Sequence, residues 1–399
     1  MDKYQWDMIH KAELAAHEVL RHNAFGPFEN LPRTAGWGYP EPYTRDLMIA
    51  MPGMLLCDDP ILTDQMRMTL QTLASNQSPH GQIPSLVHDS KNRGASDTTP
   101  LYLLGLALFR AATGEKEFLE ESARQALNWM TYQSPTDSAL IGQLPTTDWR
   151  DEQWVIGYGL YVNTLAYAYL RFFGEKNQAA GLAQSFCCFD IKEGRAHSHV
   201  HSKLREKEKP YYGFWSFKVY SSERFDLLGN SLAILTGLAP LKRAKNIVKW
   251  ISRECEFLKT NGDLIVDLPP NFFPYMRKED PDWLDRYEQY NRPGEYHNGG
   301  IWPFINGFYI AALVAAEEYD LAEEKLMVLT ELVQKSGNKD LTFGFNEWIK
   351  AQDGSIQGQD WQTWSAAMYI YAARCVRDRK TPFFDIIRQR EVSPPNSSK

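Results

Sequence analysis

The chain has 399 residues, of which 43% are hydrophobic, 23% charged and 13% aromatic, with a net charge of −7 at pH 7. This composition is ordinary for a globular protein with an ample core, and the acidic balance excludes the basic surface that nucleic-acid binding requires. Length alone does not divide the chain, because toroids and barrels of this size often form one domain.

The cysteines and the N-terminal stretch indicate the cellular compartment of the protein. The cysteines are odd in number, lie mostly in helical apolar patterns and lack CxxC spacing, which predicts buried, reduced thiols. The first 23 residues are amphipathic and charged, and no later segment approaches membrane-spanning length. We therefore expect a cytoplasmic enzyme with neither a nucleic-acid nor a membrane partner. The cysteines are Cys57, Cys187, Cys188, Cys255 and Cys375.

Apolar residues recur at helical spacing in segment after segment, whereas strand-like alternation is nearly absent. Short turns containing Gly, Asp or Pro join several segments into hairpins, in which the first helix is the more apolar and the second the more charged. The predicted helices are 4–22, 44–56, 62–75, 97–113, 116–132, 152–173, 175–188, 222–237, 241–258, 299–316, 319–335 and 359–376.

A buried helix followed by a half-exposed helix is the repeating unit of a closed helical toroid. We therefore predict an all-α, single-domain (α/α)6 barrel of six hairpins over residues 1–390. Residues 391–399 have the composition of a disordered tail. Two stretches, 189–221 and 262–298, are too long for plain connections and are expected to be functional loops.

Polar and aromatic runs precede or open the predicted inner helices. If the inner helices are parallel, these runs gather at one mouth, where their side chains can hydrogen-bond to sugars and stack on them. Helix capping is the alternative for Ser96, Asp97, Ser222 and Asp226, although it does not explain the tryptophans and arginines. The runs are YTRD (43–46), NRGASDTTP (92–100), TTDWRDEQW (146–154), SSERFD (221–226), EYHNGG (295–300) and GQDWQTW (358–364).

Two carboxylates within these surroundings are each followed by a tryptophan: Asp148 by Trp149, and Glu347 by Trp348. Cleavage of a glycosidic bond needs one protonated carboxyl and one ionised carboxylate, separated by about 6.5–9.5 Å in inverting enzymes. We expect Asp148, with a raised pKa, to face Glu347 across the mouth at that separation. The alternative is that both are ordinary helix-start carboxylates beside core tryptophans.

The arginines near the mouth admit two interpretations, since each could contact a sugar or pair with a neighbouring aspartate as part of the scaffold. These arginines are Arg45, Arg150 and Arg224, and the aspartates are Asp46, Asp151 and Asp226.

Three histidines, His197, His199 and His201, alternate in a polar loop. They lack carboxylate or cysteine ligands at the spacing of a metal site, so no metal is expected. The chain has no phosphate-cradling glycine loop and no convincing nucleophilic triad. No cofactor is expected either.

Three blocks resemble, in the same order, those of the neutral/alkaline invertases, which are cytoplasmic inverting glycosidases that hydrolyse sucrose. The run 146–151 falls where that family carries its catalytic acid, and 43–46 resembles its early Arg-Asp motif. The barrel is shared with debranching enzymes, trehalases and processing glucosidases. The blocks are YGFWSFKVYSSERFDLLGNSLAILTGL (212–238), EYHNGGIWPF (295–304) and NEWIKAQDGSIQGQDWQTWSAAMYIYA (346–372).

The resemblance implies that Asp148 is the general acid and Glu347 the general base. Trp149 stands where the family has its first arginine after the acid, a difference that concerns the substrate more than the chemistry. The expected substrate-binding residues are Tyr43, Arg45, Asp46, Asp97, Trp149, Arg150, Arg224, His297, Asn298, Trp302, Gln362 and Trp364.

The expected function is inverting hydrolysis of a small α-glucoside, with sucrose favoured and homo-oligomerisation left open. One alternative is another small α-glucoside or α-mannoside, such as glucosylglycerate, trehalose or an isomalto-type sugar. A second is an acylglucosamine-epimerase-like enzyme, which pocket-facing histidines without paired carboxylates would favour. A third is a non-catalytic carbohydrate-binding protein, for which one of the two carboxylates would fail to reach the cavity.

Overall fold

The computed structural model describes residues 1–135, 139–192, 208–217 and 220–389. Helices account for most of these residues, and the strands are short. In chain order the helices are α1 (Lys3–Asn23), α2 (Thr44–Leu55), α3 (Pro60–Ser75), α4 (Thr98–Thr113), α5 (Glu120–Thr131), α6 (Leu160–Phe173), α7 (Lys176–Ser185), α8 (Leu227–Leu235), α9 (Leu241–Thr260), α10 (Tyr287–Tyr290), α11 (Pro303–Ala315), α12 (Tyr319–Val333), α13 (Thr363–Asp378) and α14 (Phe384–Gln389). The strands are β1 (Tyr158–Gly159), β2 (Gly213–Phe217), β3 (Tyr220–Asp226), β4 (Phe272–Phe273), β5 (Trp348–Ile349) and β6 (Ile356–Gln357), and a 3-10 turn spans Phe186–Phe189.

The helices form the predicted (α/α)6 barrel. Its inner ring consists of α2, α4, α6, α8, α11 and α13, each packed against the next, and α13 closes the ring against α2. Along the chain these alternate with the outer helices α1, α3, α5, α7, α9 and α12. The prediction of a single-domain helical toroid is therefore confirmed.

Burial explains the two layers. The inner helix α4 is buried continuously from Thr98 to Phe109, whereas the outer helix α9 buries only one face. An all-apolar helix must be enclosed, and an amphipathic one suits the outside. Gly53 and Gly307 allow close contact with α13, because an added Cβ would lie 1.9 Å from the carbonyl oxygen of Ala367 and 2.6 Å from that of Met368.

A few short strands, which the sequence pattern did not indicate, accompany the helices. The four short strands β1 to β4 form an antiparallel sheet in that order, and β5 pairs with β6. Two predicted helices, 152–173 and 222–237, begin too early because the residues before them belong to β1 and β3. These strands are short and run directly into helices, so helical periodicity in the adjoining residues masked them.

The second long loop is organised by a small cluster of buried side chains. Residues 262–298 contain β4 and α10, and they pack on the sheet through a core separate from that of the barrel. The buried members of this core are Val155, Phe214, Phe272, Met276 and Tyr287. We call residues 274–292, which carry part of this core, the cap loop.

The C-terminal helix α14, which the sequence did not predict, closes the end of the barrel where the inner helices finish. Phe384 is fully buried, and Arg171 near the end of α6 donates a hydrogen bond to the carbonyl oxygen of Ile387. Arg388 likewise donates to the carbonyl oxygen of Leu235 at the end of α8. The opposite end, where the inner helices begin, is called the mouth.

Some predictions fall outside the described residues, namely those for His197, His199, His201 and the tail 391–399. The proposed boundary at residue 390 therefore stays a prediction. Cys255 and Cys375 are buried as expected, whereas Cys187 is exposed. Within the described ranges, no helix is long and apolar enough to cross a membrane.

Candidate active site

The polar runs at the starts of the inner helices meet at the mouth, as predicted. Asp46 lies in the first turn of α2, while Asp97 and Asp226 occupy the N-cap positions of α4 and α8. Asp151 and Glu347 come from the connections before α6 and α13. The charges of Glu347 and Asp151 act on Asp46, and the charge of Asp148 acts on Asp97, Asp151 and Asp226, which places these segments at one site.

Asp148 does not have the surroundings expected of a general acid. Its side chain is 1% exposed, and its Oδ2 lies 3.0 Å from Nη2 of Arg150. Its Oδ1 accepts a hydrogen bond from the backbone N–H of Arg150 at 2.7 Å. Burial raises the pKa of Asp148, but the Arg150 charge and these hydrogen bonds outweigh burial and lower it. The predicted raised pKa is therefore wrong, because the arginine two residues later stabilises the ionised form.

Arg150 is a scaffold residue rather than a substrate contact. Its guanidinium is fully buried, and Nη1 also lies 2.9 Å from Oδ1 of Asp226. One cation thus bridges two carboxylates from the loop before α6 and the start of α8. Arg45 and Asp97 form a second pair, at 2.7 and 3.0 Å, in which Asp97 is completely buried. Arg150 therefore has the scaffold role, whereas Arg45 pairs with Asp97 and keeps a side chain that is 20% exposed.

Asp151 is the carboxylate of this loop that remains accessible from the mouth. Its side chain is 58% exposed, in a recess where nearby protein atoms still displace part of its hydration. This desolvation raises the pKa of Asp151, Arg45 opposes it, and Glu152 and Asp148 reinforce it. The turn around it is fixed by backbone hydrogen bonds from Gln153 to Arg150 and from Thr146 to Gln153.

Glu347 reaches the same recess from the other side. Its backbone N–H donates to the carbonyl oxygen of Gln359 at 3.0 Å, and the N–H of Gln359 donates to its Oε2 at 3.2 Å. The side chain is 8% exposed, and burial raises the pKa of Glu347 to about 7. The Gln359 hydrogen bond opposes this shift, the Asp151 charge adds to it, and a Gln362 hydrogen bond opposes it.

Asp46 is a third carboxylate of the same cluster. Burial raises the pKa of Asp46 to about 7, against the opposing charge of Arg45 and together with the charges of Glu347 and Asp151. Carboxylates that repel one another lose their protons as a coupled set, so their titrations belong to the group. At neutral pH the cluster can therefore hold a proton on one carboxyl while another is ionised.

Tyrosines form much of the wall around this cluster. Tyr39 and Tyr43 are 38% and 37% exposed, and burial is the main cause that raises the pKa of each. The pKa of Tyr296 is also raised, by burial and then by the charges of Asp151 and Glu347. Each side chain can therefore offer a neutral hydroxyl to a ligand at neutral pH.

The tryptophans expected at subsites lie beneath the mouth as a buried cluster. Trp149 is 2% exposed, Trp302 1% and Trp364 6%, and Phe304 stacks on Trp364 with ring centroids 4.2 Å apart. Trp149 meets Trp302 edge to face at 5.3 Å. Their immediate role is to form an apolar floor, although the indole N–H groups of Trp149 and Trp364 have no hydrogen-bond partner among the residues that the structure describes.

His297 is part of this floor. Its ring stacks on Tyr296 at 3.9 Å, and its Nε2 lies 4.0 Å from Oδ1 of Asp151. Burial lowers its pKa well below the usual range, and the charges of Arg150 and Arg45 act in the same direction. The imidazole is therefore neutral at physiological pH and packs beneath the carboxylate.

Two residues expected to bind substrate have other partners. Asn298 is fully buried; its amide donates to the carbonyl oxygens of Met276 and Asn291 and accepts from the N–H of Met276. Arg224 pairs with Asp280 and Asp282 in the cap loop, at 3.0 and 2.7 Å. The expectation that Asn298 and Arg224 bind substrate is therefore wrong, because their polar groups bond to the cap loop.

Several residues at the site adopt the left-handed backbone conformation although they are not glycine. Such conformations cost of order 1–3 kcal/mol each and persist where the surrounding structure enforces them. Trp361 precedes α13 and Phe345 lies two residues before Glu347, so both flank the proposed base. The residues and φ angles are Thr146 (61°), Tyr296 (43°), Phe345 (43°) and Trp361 (57°).

Sequence reasoning missed Asp151 as a candidate catalytic residue and considered it only as a partner for an arginine. No residue type marked it, because Asp148 and Asp151 flank the same arginine and only the direction of the Arg150 side chain, which pairs with Asp148, separates them. In the part of the chain that is described, no group of three or more His, Cys, Asp or Glu side chains is arranged to hold a metal ion.

A family profile described as alkaline and neutral invertase matches residues 219–379, which confirms the resemblance for that part of the chain. Neutral/alkaline invertase 1, mitochondrial, from Oryza sativa subsp. japonica is 28% identical over 151 residues, 37% of this chain and 22% of its own length. Alkaline/neutral invertase C, mitochondrial, from Arabidopsis thaliana is 22% identical over 157 residues, 38% of this chain and 22% of its own. The chain thus matches about a fifth of the length of these relatives.

Similarity to solved structures extends over nearly the whole chain. The GH63 mannosylglycerate hydrolase from Thermus thermophilus, solved with Tris and D-glycerate, has a TM-score of 0.63 and 13% identity, covering 90% of this chain and 99% of its own. A glycosidase solved in complex with glucose has a TM-score of 0.63 and 14% identity, covering 94% of this chain and 99% of its own. At these identities the likeness establishes the fold.

Proposed function

We propose that this protein is an inverting glycoside hydrolase that removes a glycosyl unit from a small α-glucoside, with sucrose the favoured substrate. The observation that carries the proposal is the pairing of Asp151 and Glu347 in one mouth, both with raised pKa values, above an aromatic floor. Two carboxyls in different protonation states are what glycoside hydrolysis requires. The invertase match over 219–379 supports this reaction class.

We assign the general acid to Asp151 and the general base to Glu347. Asp151 is open to solvent at the mouth, where the leaving oxygen of an entering substrate would lie, and desolvation together with the charges of Glu152 and Asp148 raises its pKa. Glu347 is held rigidly by Gln359, which suits a group that must position one water. Asp148 keeps a different role, because its charge is committed to Arg150.

The reaction then proceeds by a single displacement. Asp151 donates its proton to the glycosidic oxygen while Glu347 takes a proton from water, whose oxygen attacks the anomeric carbon from the opposite face. The products are the leaving alcohol and a sugar of inverted anomeric configuration. The next substrate requires Asp151 to be reprotonated and Glu347 to be ionised again, which the exposure of Asp151 permits.

Other polar groups of the mouth would orient the glycosyl ring. Asp46, Tyr43 and the accessible part of Arg45 lie beside the two catalytic carboxyls and present hydrogen-bonding atoms to the recess. A sugar also needs an apolar surface under its C–H face, and Tyr296 beside Trp302 can supply it. Tyr43, Arg45, Asp46 and Trp302 were expected to bind substrate from the sequence, and Tyr296 is added to them here.

The rival functions fit the site less well. A histidine-based epimerase would need an imidazole that titrates within reach of the substrate, whereas His297 is 1% exposed and its pKa is lowered. A carbohydrate sensor would not need carboxyls with raised pKa values, since desolvating acids weakens the fold without aiding binding. Cytoplasmic location remains a prediction, and the two plant relatives described above are named as mitochondrial proteins.

The proposal is tested by a substrate panel followed by a stereochemical assay. Purified protein is incubated with sucrose, trehalose, maltose, isomaltose, glucosylglycerate and mannosylglycerate, and released sugar is measured. On an active α-glucoside, rapid NMR should detect the β-anomer first. Initial release of the α-anomer would exclude the single displacement. No hydrolysis of any compound, including the activated substrate α-glucosyl fluoride, would refute the proposed function.

Variants test the residue assignment. Asp151→Asn should lose turnover of natural disaccharides and keep hydrolysis of α-glucosyl fluoride, whose leaving group needs no proton. Glu347→Gln should lose both activities while it still binds the sugar. If Asp151→Asn kept near-normal hydrolysis of the disaccharide, the acid would have to be sought elsewhere.

A further inference from the structure

A cleft on the outer ring of the barrel, away from the catalytic recess, is lined by aromatic and polar side chains. It lies between the last turns of α5 and the loop that follows α3, and it encloses about 580 Å³. Pockets that bind small molecules have volumes of about 300–1,000 Å³, so the cleft has room for a ligand of that kind. We call it the α5 cleft, and its lining side chains include His80, Arg124, Gln125, Asn128, Trp129 and Tyr132.

The helix α5 presents its share of these side chains as two rows. Arg124, Asn128 and Tyr132 follow one another at intervals of four residues, and Gln125 and Trp129 do the same beside them. Residues four apart lie on one face of a helix. A guanidinium, two amides, an indole and a phenol are therefore directed together toward one cleft.

Two of these residues supply an aromatic surface. Tyr132 is 76% exposed, whereas Trp129 is half-buried and packs against the barrel core. They lie three positions apart, about 4.5 Å along the helix axis, so one small ligand can contact both rings. Tyrosine and tryptophan offer an apolar face together with a polar tip, which suits a ligand that has C–H groups and hydroxyls.

Three polar groups of the cleft are available to a ligand. The imidazole of His80, the side-chain amide of Asn128 and the hydroxyl of Tyr132 have no hydrogen-bond partner among the residues that the structure describes. Each of these side chains is exposed to solvent. Together they supply both donors and acceptors, as a ligand with several hydroxyls requires.

The charge of the cleft favours a neutral ligand over an anion. Arg124 donates to the carboxylate of Glu121 through Nε at 3.0 Å and through Nη2 at 2.6 Å. Gln125 donates to the same carboxylate at 2.8 Å. Glu121 thus compensates the guanidinium and would repel an anion, while Nη1 of Arg124 can still donate to a neutral oxygen.

The loop that forms the other wall is held firmly against α5. A Cβ added to Gly81 would lie 2.1 Å from the carbonyl oxygen of Gln125, so the two backbones are in close contact. The side-chain amide of Gln77 donates to the carbonyl oxygens of Gly81 and Ser122, at 2.9 and 3.1 Å. The wall that carries His80 is therefore preorganised, which lowers the entropic cost of binding.

The cleft opens on the same side of the barrel as the mouth but is separate from it. The inner helices begin at the mouth, so the outer helices α3 and α5, which alternate with them along the chain, end on that side. Residues 82–97 connect the loop of the cleft to Asp97 at the start of α4. The lining residues of the cleft are different from those of the catalytic recess.

We propose that the α5 cleft is a second, non-catalytic site that binds one ring of a neutral sugar. Tyr132 and Trp129 contact the C–H face of the ring, and Asn128, His80 and Nη1 of Arg124 hydrogen-bond to its hydroxyls. The site lies outside the proposed function, because binding here requires neither of the two catalytic carboxyls.

Protection of His80 from chemical modification tests the site directly. Diethyl pyrocarbonate acylates exposed imidazoles, and mass spectrometry of the digested protein reports each histidine separately. The wild type is treated with glucose or fructose, and Glu347→Gln, which should not consume its ligand, with sucrose. A sugar at ten times its dissociation constant should slow the modification of His80 about ten-fold. His10, exposed on α1, should react at its usual rate.

Two outcomes of this measurement would overturn the proposal. One is an unchanged rate at His80 with all three sugars. The other is an equal slowing of His80 and His10, which would reflect an effect of the sugar on the reagent.

Variants of the cleft connect the protection to its lining residues. Tyr132→Ala and Asn128→Ala alter exposed positions, and each should weaken the protection of His80 about ten-fold while kcat/KM changes less than about two-fold. Tyr4→Ala, which removes an aromatic side chain that is 71% exposed on α1, is the matched control and should keep full protection. Protection that survived in both cleft variants would place the sugar elsewhere and refute the proposal.

Inorganic phosphate tests the alternative that the cleft binds an anion through Arg124 and His80. Protection of His80 by phosphate but by none of the sugars would overturn the proposal. None of these measurements depends on turnover. If the wild type hydrolyses no glycoside, the proposed function falls, and protection of His80 that is lost in Tyr132→Ala still supports the sugar site.

Discussion

Arg150 and Asp148 form an ion pair that is completely shielded from solvent, with 3.0 Å between Nη2 and Oδ2. The same carboxylate accepts a hydrogen bond from the backbone N–H of Arg150 at 2.7 Å, so Asp148 contacts both the backbone and the guanidinium of that residue. Asp151 follows directly in the chain. The pair therefore sets the direction in which the proposed acid leaves the loop, and it commits the charge of Asp148 to Arg150.

The first prediction concerns the stability that this pair supplies. Asp148→Asn removes one of the two charges that compensate the buried Arg150 guanidinium and should lower the free energy of unfolding by about 3–5 kcal/mol. Chemical denaturation at pH 7 measures the change. Asp151→Asn is the matched variant, from the same loop but 58% exposed, and it should change stability far less. Equal stability losses in the two variants would contradict the division of roles.

The second prediction is that the proposed base weakens the fold at neutral pH. In the folded protein the pKa of Glu347 is raised from 4.5 to about 7. Between these values the folded state binds more protons than the unfolded chain, so the contribution of Glu347 to stability falls as pH rises. Glu347→Gln should therefore raise the free energy of unfolding by about 1–3 kcal/mol at pH 8.

Below about pH 4, where the carboxyl is protonated in both states, the same variant should match the wild type. Glu331→Gln, on the exposed face of α12, controls for the loss of one carboxylate. A stability gain that persisted at pH 4 would have to come from packing rather than from the charge.

The third prediction links the hydrogen bonds of Glu347 to the pH dependence of activity. The base must be ionised, so kcat/KM should decline on the acidic side as pH falls through about 7. Gln362 lowers the pKa of Glu347 through a side-chain hydrogen bond. Gln362→Met keeps a similar shape without that bond and should move the acidic limb to higher pH. Gln357→Met, at an exposed position of β6, should not move the limb.

Much of the fold could be predicted because the barrel repeats one simple pattern. Inner helices such as α4 are apolar on all faces, and outer helices such as α9 on one, which periodicity reports directly. The strands β1 and β3 were not predicted because each runs directly into a helix without a break in the apolar spacing. The position of Glu347 was also accessible, since it precedes the last inner helix in a run dense with aromatic residues.

The choice between Asp148 and Asp151 could not be made from residue types. Both aspartates precede the same inner helix and flank the same arginine, so only the direction of the Arg150 side chain separates them. That direction depends on Asp226, a carboxylate 76 residues from Arg150 in the chain, whose Oδ1 lies 2.9 Å from Nη1. A contact of this kind between distant segments leaves no periodic signal in the sequence.

The last prediction concerns Arg224, which the sequence suggested as a sugar contact and the structure places under the cap loop. Its guanidinium donates to the carbonyl oxygens of Pro274 and Tyr275 and pairs with Asp280 and Asp282. Arg224→Met keeps most of the packing of the stem but loses these charge-assisted hydrogen bonds, so the free energy of unfolding should fall by about 2–3 kcal/mol.

Limited proteolysis distinguishes this structural role from substrate binding. In Arg224→Met the cap loop should be cleaved several-fold faster than in the wild type, while KM for the active glycoside changes little. Arg286→Met is the matched control, because Arg286 is half-exposed and pairs with Glu152 at the surface, where an ion pair contributes little to stability. If Arg224→Met instead raised KM at least ten-fold without faster cleavage, Arg224 would contact the substrate and its pairs with Asp280 and Asp282 would open when substrate binds.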